Sequence, residues 1–355
     1  MKIQYTTIYI RADANETIGT GHVMRCLSIA EAIQKQGGEA IFLAADARTE
    51  DIVKNRGFSV ICLNSVWNDL EKELEQLVFL VREKEIRVLL IDSYYVTLDY
   101  LETLHQYTKL VYIDDLDSFA YPVDMLISYA VYRGKADYEN RYGNREVPDI
   151  LSGSRYIPLK SRFCNLPERK ISENVKNVLI LTGGTDPYHV ALELAMHIAD
   201  AGEKDIAGAK AYKEQQFHII CGKYNRDYDK LCDLASSTEN IAIYYNVDCM
   251  ADYMMEADLA VTAGGTTTYE LCACGTPSIC YILADNQIQN ARTLAEKGLM
   301  LFGGDVRKDE RVSEIVRQLG RLSGNRELRQ AISRNMQLLV DGKGAQRIAE
   351  AVLNL

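Results

Sequence analysis

Ile18-Gly19-Thr20-Gly21-His22-Val23-Met24-Arg25 puts a histidine and an arginine directly behind two glycines. The segment follows a strand-like run, Thr7-Ile8-Tyr9-Ile10, that ends in Arg11-Ala12-Asp13. After it, Val23, Leu27, Ala30 and Ile33 recur at helical spacing. A glycine turn therefore joins a strand to a helix, and the helix opens with His22. Such a helix start gathers unpaired backbone N–H groups and the positive end of the dipole, which suits a phosphate or another anion. The same positive end disfavours imidazolium and biases His22 toward its neutral, basic form. A base beside an anion pocket suits chemistry on a phosphorylated or nucleotide-linked substrate.

A second glycine site has the same plan. Thr262-Ala263-Gly264-Gly265-Thr266-Thr267-Thr268-Tyr269-Glu270 follows a strand and enters a helix. Glycines let the backbone approach a phosphate, and Glu270, about one turn on, could accept the hydroxyls of a ribose. The same residues would also form a turn of small side chains with a solvated glutamate. Asp285-Asn286-Gln287-Ile288-Gln289 follows another strand and could read sugar hydroxyls or amides, or be a polar loop. Arg25, one turn beyond His22, suits either a phosphate or an internal ion pair. His105, His189, His197 and His218 have no metal spacing among themselves, although His189 lies just after a further glycine loop. Neither a Ser-His-Asp order, a zinc motif nor a complete Walker loop is found.

The elements that must position these residues alternate. Strand-like runs fall at Thr7–Ile10, Ala40–Ala44, Ser59–Leu63, Val88–Ile91, Leu110–Ile113 and Met125–Ile127, with helical patterns at Val23–Gln36 and Leu70–Glu83. That is the signature of a parallel α/β sheet. Polar residues cluster just after the strands, at Asp13, Asp92-Ser93-Tyr94 and Asp114-Asp115, where open α/β sheets bind ligands. From about Asp137 to Asn177 the alternation breaks, and Pro148, Pro158 and Pro167 make up half of the six prolines. A second series opens with Val178-Leu179-Ile180-Leu181 and Thr182-Gly183-Gly184-Thr185-Asp186-Pro187. There Asp186 is predicted to cap a helix and Pro187 to begin it. Further strands are predicted at Phe217–Cys221, Ile241–Tyr245, Leu259–Thr262 and Ser278–Leu283. The predicted organisation is a first Rossmann-like domain at 1–155, a crossing at 156–176, a second such domain at 177–340 and a terminal helix at 341–355. The two domains are expected to face each other across a cleft.

Composition narrows the function. A length of 355 residues suits two domains, and 47% hydrophobic residues allow each a core. The net charge of −10 and the scattered basic residues argue against nucleic-acid or membrane-surface partners. The first residues, Met1 to Tyr5, do not read as a secretory signal. No apolar run approaches the roughly 20 residues that span a bilayer. Nine scattered cysteines, an odd number, read as reduced, mostly buried thiols of a cytoplasmic protein.

Arg11-Ala12-Asp13 with Ile18 to Leu27 resembles the amino-terminal signature of the PseG/SpsG family of UDP-sugar hydrolases, relatives of the MurG glycosyltransferase. Ile91-Asp92-Ser93-Tyr94, Leu181 to Asp186, Ala263 to Glu270, Gly275-Thr276-Pro277 and Asn286-Gln287 resemble further segments of that family. Ser93 stands where many members carry His, and Ala130 where an Asn is expected. The chain also carries extra residues near Gly202–Gln215 and at the carboxyl end.

The resemblance implies a GT-B fold and a metal-independent hydrolase without a cofactor. Its substrate would be UDP-2,4-diacetamido-2,4,6-trideoxy-β-L-altropyranose, of pseudaminic acid biosynthesis, cleaved with inversion at the anomeric carbon. Ordinary glycosidases need two carboxyl groups because a sugar oxygen leaves poorly. UDP leaves well, so one base with a reference pKa of about 6.5 can suffice. On this reading His22 is the general base, and Asp13 and Tyr94 help to orient it, the water or the sugar. Gly19, Gly21 and Arg25 line the first anion site. Gly183, Gly184 and Thr185 line the second-domain loop, Gly264, Gly265 and Thr266 cradle phosphate, Glu270 holds ribose, and Asn286 and Gln287 contact the sugar. The alternatives are a GT-B transferase passing the sugar to another acceptor, a sugar-nucleotide epimerase, and a silent nucleotide-sugar sensor.

Overall fold

In the computed structural model the described residues are 6–203, 212–222, 224–247, 249–308 and 312–355. Residues 1–5 and, within the expected insertion near Gly202–Gln215, residues 204–211 lie outside them. The chain divides into two compact units, one of residues 1–164 and 342–355, the other of residues 165–341.

The first unit holds a seven-stranded sheet of β1 (Thr7–Ala12), β2 (Glu39–Ala44), β3 (Ser59–Cys62), β4 (Val88–Asp92), β5 (Lys109–Ile113), β6 (Met125–Ser128) and β7 (Asp149–Ser152). Its order is β3-β2-β1-β4-β5-β6-β7, and every pairing is parallel. β4 is buried at all five positions, as expected of a strand covered on both faces. Tyr9, Leu43, Leu89, Ile91, Leu101 and Tyr112 belong to one core cluster. The chain order reverses between β1 and β4, and in such sheets the crevice outside the strand ends at that point takes ligands. Asp13 and Asp92 stand there.

The second unit holds β8 (Asn177–Leu181), β9 (Gln216–Cys221), β10 (Ile241–Tyr245), β11 (Leu259–Ala263), β12 (Ser278–Ile282) and β13 (Leu301–Asp305). Their order is β10-β9-β8-β11-β12-β13, again all parallel. Its switch point lies between β8 and β11, which end at the two glycine loops of this unit.

Several expectations shift. The stretch from about Asp137, where the alternation was expected to break, contributes the Lys135–Tyr142 helix and β7 to the first unit, which runs on to Cys164 and so takes in part of the crossing expected at 156–176. The terminal helix, Gly344–Leu353, packs beside the Gly21–Lys35 helix of that same unit. The helix expected at Pro187 starts at Val190 instead. Asp186 (φ 45°) and His189 (φ 59°) are left-handed, and the Asp186 carboxylate caps from a distance, accepting Val190 N–H at 3.0 Å and Ala191 N–H at 2.9 Å. All nine cysteines are free. Burial pushes the Cys221, Cys274 and Cys280 thiols up to about 12, which keeps them protonated and inert.

Candidate active site

Asn15 shapes the first turn. Its side chain accepts from Thr17 and Ile18 N–H at 2.9 and 3.0 Å, and its backbone exchanges bonds with Gly19. Gly19 sits at φ 72°, a conformation that costs other residues about 1–2 kcal/mol. The helix then begins at Gly21, and His22 is buried behind the turn.

His22 meets Asp92. Its Nδ1 lies 2.6 Å from Asp92 Oδ1, and Asp92 is completely shielded at the end of β4. A carboxylate can only accept, so Nδ1 carries a proton, and in the neutral ring Nε2 is the nitrogen with the lone pair. The Tyr94 ring meets the imidazole edge-on at 4.4 Å. Arg25 forks onto the same carboxylate, Nε to Oδ2 at 2.6 Å and Nη2 to Oδ1 at 2.5 Å. It also reaches Asp115 at 2.8 Å and donates to the Tyr129 hydroxyl. Burial alone would raise the Asp92 carboxyl. The Arg25 guanidinium and His22 outweigh it and hold the group well below the usual carboxylate range. The neighbouring Asp114 accepts from Leu116 and Asp117 N–H and from the Tyr121 and Tyr138 hydroxyls.

The contact with His22 expected of Asp13 is made by another residue, and Arg25 takes one of its two expected roles. Asp13 does not meet His22. It accepts from Arg11 Nη1 at 2.6 Å and from Ala45 N–H at 2.8 Å. Arg11 is fully buried and also forks onto Glu73 at 2.6 and 2.9 Å, with the Tyr100 hydroxyl on Glu73 at 3.0 Å. Arg25 is engaged by two carboxylates and so forms the internal ion pair rather than an open phosphate contact. The residue that orients His22 is Asp92, 70 positions away. The strand-end clustering of Asp92-Ser93-Tyr94 was its sequence signal.

In the second unit Gly264 and Gly265 follow β11 and lead into the Thr267–Cys274 helix. Asn290 pins this loop. Its Nδ2 donates to Gly264 O at 3.0 Å, and its Oδ1 accepts from the Tyr269 hydroxyl at 2.8 Å. Thr268 Oγ1 donates to Gly265 O at 2.7 Å. Gln287 accepts Leu283 N–H at 3.0 Å and lies against both glycines. A Cβ on Gly264 would come within 3.1 Å of the Gln287 Cβ. Thr266 is exposed and Glu270 half-buried. The structure therefore brings Gly264, Gly265 and Gln287 together, with Thr266 and Glu270 at the start of the helix they open. Sequence reasoning missed Asn290.

Gly183, Gly184 and Thr185 form an exposed loop after β8. Beside it, His189 Nδ1 bonds the buried Asp227, which Lys230 also contacts at 3.0 Å. Each unit thus has a His–Asp pair near its first glycine loop. Among the described residues, no group of three or more His, Cys, Asp and Glu could hold a metal ion. No helix among them is long and apolar enough to cross a membrane.

The chain is similar to several known proteins. Residues 178–350 match the glycosyltransferase family 28 C-terminal domain. The spore coat polysaccharide biosynthesis protein SpsG of Bacillus subtilis is 24% identical, over 98% of this chain and 97% of its own. The UDP-2,4-diacetamido-2,4,6-trideoxy-beta-L-altropyranose hydrolase of Campylobacter jejuni is 24% identical, over 82% of this chain and 97% of its own. An uncharacterized Methanocaldococcus jannaschii protein, MJ1062, is 24% identical over 79% of this chain, which spans only 56% of that relative. Among solved structures, Acinetobacter baumannii MurG superimposes with a TM-score of 0.70 at 14% identity, covering 99% of this chain and 100% of that one. The chain is therefore homologous to SpsG and to the altropyranose hydrolase, and it has the GT-B-like fold of MurG with two Rossmann-like domains.

Proposed function

We propose that the protein is a UDP-sugar hydrolase that releases UDP and a free diacetamido-trideoxy sugar with inversion at the anomeric carbon. The His22–Asp92 pair behind the glycine turn is the observation that carries this reading. Water attacks the anomeric carbon, and the bond to the diphosphate oxygen breaks with its electron pair leaving on UDP. The water proton passes to His22 Nε2, and Asp92 stabilises the imidazolium that forms. One displacement inverts the carbon. Tyr94 supports the ring of His22. Asp13 and Arg25 act one layer further back, fixing the strand end and Asp92. On the second unit, the Gly265 and Thr266 backbone and the exposed Gly183-Gly184-Thr185 loop offer N–H groups to the diphosphate, with Glu270 on the ribose, while Gly264 N–H donates to Tyr281 O at 2.9 Å and fixes the loop. Asn286 and Gln287 contribute amides to the sugar.

The relatives support an enzyme of UDP-sugar chemistry in polysaccharide biosynthesis. The family 28 domain match also supports a second reading, transfer of the sugar to an acceptor other than water. Incubation with UDP-2,4-diacetamido-2,4,6-trideoxy-β-L-altropyranose, followed by NMR, separates the two. The hydrolase releases UDP and the inverted free sugar without any acceptor. An intact substrate in the presence of bound UDP would overturn the hydrolase.

A further inference from the structure

Two segments of the first unit, one after β3 and one after β4, meet in an aromatic wall with no part in the chemistry so far. Trp67, the single tryptophan of the chain, meets Tyr95 edge-on, with ring centres 5.4 Å apart and planes at 84°. Trp67 is half-buried, while Val66, Tyr95 and Leu98 are each more than a third exposed.

Both rings are held in place. The Trp67 loop is tied to the strand ends by Leu63 N–H on Ala44 O at 2.8 Å and Ser65 N–H on Ala45 O at 2.9 Å. Ser65 Oγ donates to Glu73 at 2.6 Å, the same carboxylate that Arg11 grips. Thr97 donates to Glu71 on the far side. The Tyr95 turn is fixed through Ser93, whose Oγ accepts Tyr95 N–H at 3.2 Å and whose carbonyl accepts the Tyr112 hydroxyl at 3.0 Å. Tyr95 directly follows Tyr94, the residue whose ring touches His22. Large aromatic and aliphatic groups left partly open at the strand ends of an α/β sheet are the usual lining of a small-molecule site. A carbohydrate ring presents C–H faces that rest on such a wall, and acetamido and C6 methyl groups add apolar contact. A diphosphate gains nothing from it.

We propose that Trp67 and Tyr95 form the platform that binds the carbohydrate part of the nucleotide sugar. This rests on the UDP-sugar reading above and adds the recognition of the sugar to it.

Because Trp67 is the sole tryptophan, its emission reports on this wall alone when excited to the red of tyrosine. The experiment uses full-length His22→Asn protein, so that the substrate survives. It is titrated with UDP and separately with UDP-2,4-diacetamido-2,4,6-trideoxy-β-L-altropyranose, with calorimetry in parallel. The nucleotide sugar should change the emission and UDP should not. Equal changes with both would move the wall to the nucleotide, and binding without any change would remove it from the site; either result overturns the platform. Absence of calorimetric binding by both ligands would instead overturn the UDP-sugar reading. In the His22 protein, Trp67→Ala should raise KM roughly tenfold with kcat little changed, and Trp67→Phe should recover most of the loss. An unchanged KM in Trp67→Ala would also overturn the platform.

Discussion

Both units place glycines between a strand at the switch point and the helix that follows, yet what stands behind Gly19 and Gly21 differs from what stands behind Gly264 and Gly265. Behind Gly19 and Gly21 lie buried ions: Asp92 between His22 and Arg25, and Arg11 between Asp13 and Glu73. Behind Gly264 and Gly265 lie neutral groups: the Asn290 amide, the Tyr269 and Thr268 hydroxyls and the Gln287 amide. A loop that holds an anion needs only correctly aimed N–H donors, and neutral side chains can fix its carbonyls without adding charge of their own. A base that takes up a proton needs a permanent negative partner, and a buried partner needs cations around it. On the proposed function, one fold gives a cradle or a base according to which side chains stand behind the turn.

The difference predicts separable failures. His22→Asn should lower kcat by about 10²–10⁴ and leave the UDP dissociation constant unchanged, read by steady-state kinetics and calorimetry. A parallel loss of UDP affinity would mean that the two sites do not divide the work. Asp92→Asn leaves the Arg25 guanidinium short of a counter-charge, and should cost about 3–5 kcal/mol in denaturant unfolding as well as activity. Asn290→Ala removes only neutral hydrogen bonds and should cost about 1–3 kcal/mol, with weaker UDP binding. Gly264→Ala pushes a methyl toward Gln287 and should weaken UDP roughly tenfold. Gly19→Ala meets no neighbour within 4 Å and should cost only about 1 kcal/mol of stability through its positive φ. Acid should discriminate most gently. The folded Asp92 carboxyl lies below its unfolded value, so its stabilisation is complete above about pH 4 and fades as pH falls through the lower folded value. Urea midpoints across that range should fall more steeply in the parent protein than in Asp92→Asn.

Local patterns were the legible part. Ile241–Tyr245 was predicted with its observed bounds, and the runs at β1, β4, β8 and β11 differ from the strands by one or two residues. The glycine turns and His22 could be read because each is a few adjacent residues with a shared physical purpose. β7 was missed because Asp149-Ile150-Leu151-Ser152 has only one fully buried apolar side chain, and β13 because Leu-Phe-Gly-Gly-Asp carries two glycines that strands avoid. The Asp92 partner of His22, the Glu73 partner of Arg11 and the Asn290 pin are contacts across 70, 62 and 26 positions. Periodicity along a chain says nothing about which strand end will stand beside which. Asp186 misled for a different reason. Its left-handed backbone lets it cap four and five residues ahead, so the helix begins later than the Asp-Pro pair suggests.

The return of the last helix has a consequence for biosynthesis. The Gly344–Leu353 helix closes the first unit, and Gly342 and Gly344 lie so near the Phe163 and Ile157 backbones that neither has room for a side chain. The second unit is one unbroken stretch, 165–341, inserted into the first. On the ribosome, the part carrying His22 is made first and completed last. It must wait, with one flank of its amino-terminal helix uncovered, until the whole second unit has emerged. A chaperone that meets this protein during translation would find its binding surface on the unit that was synthesised earliest.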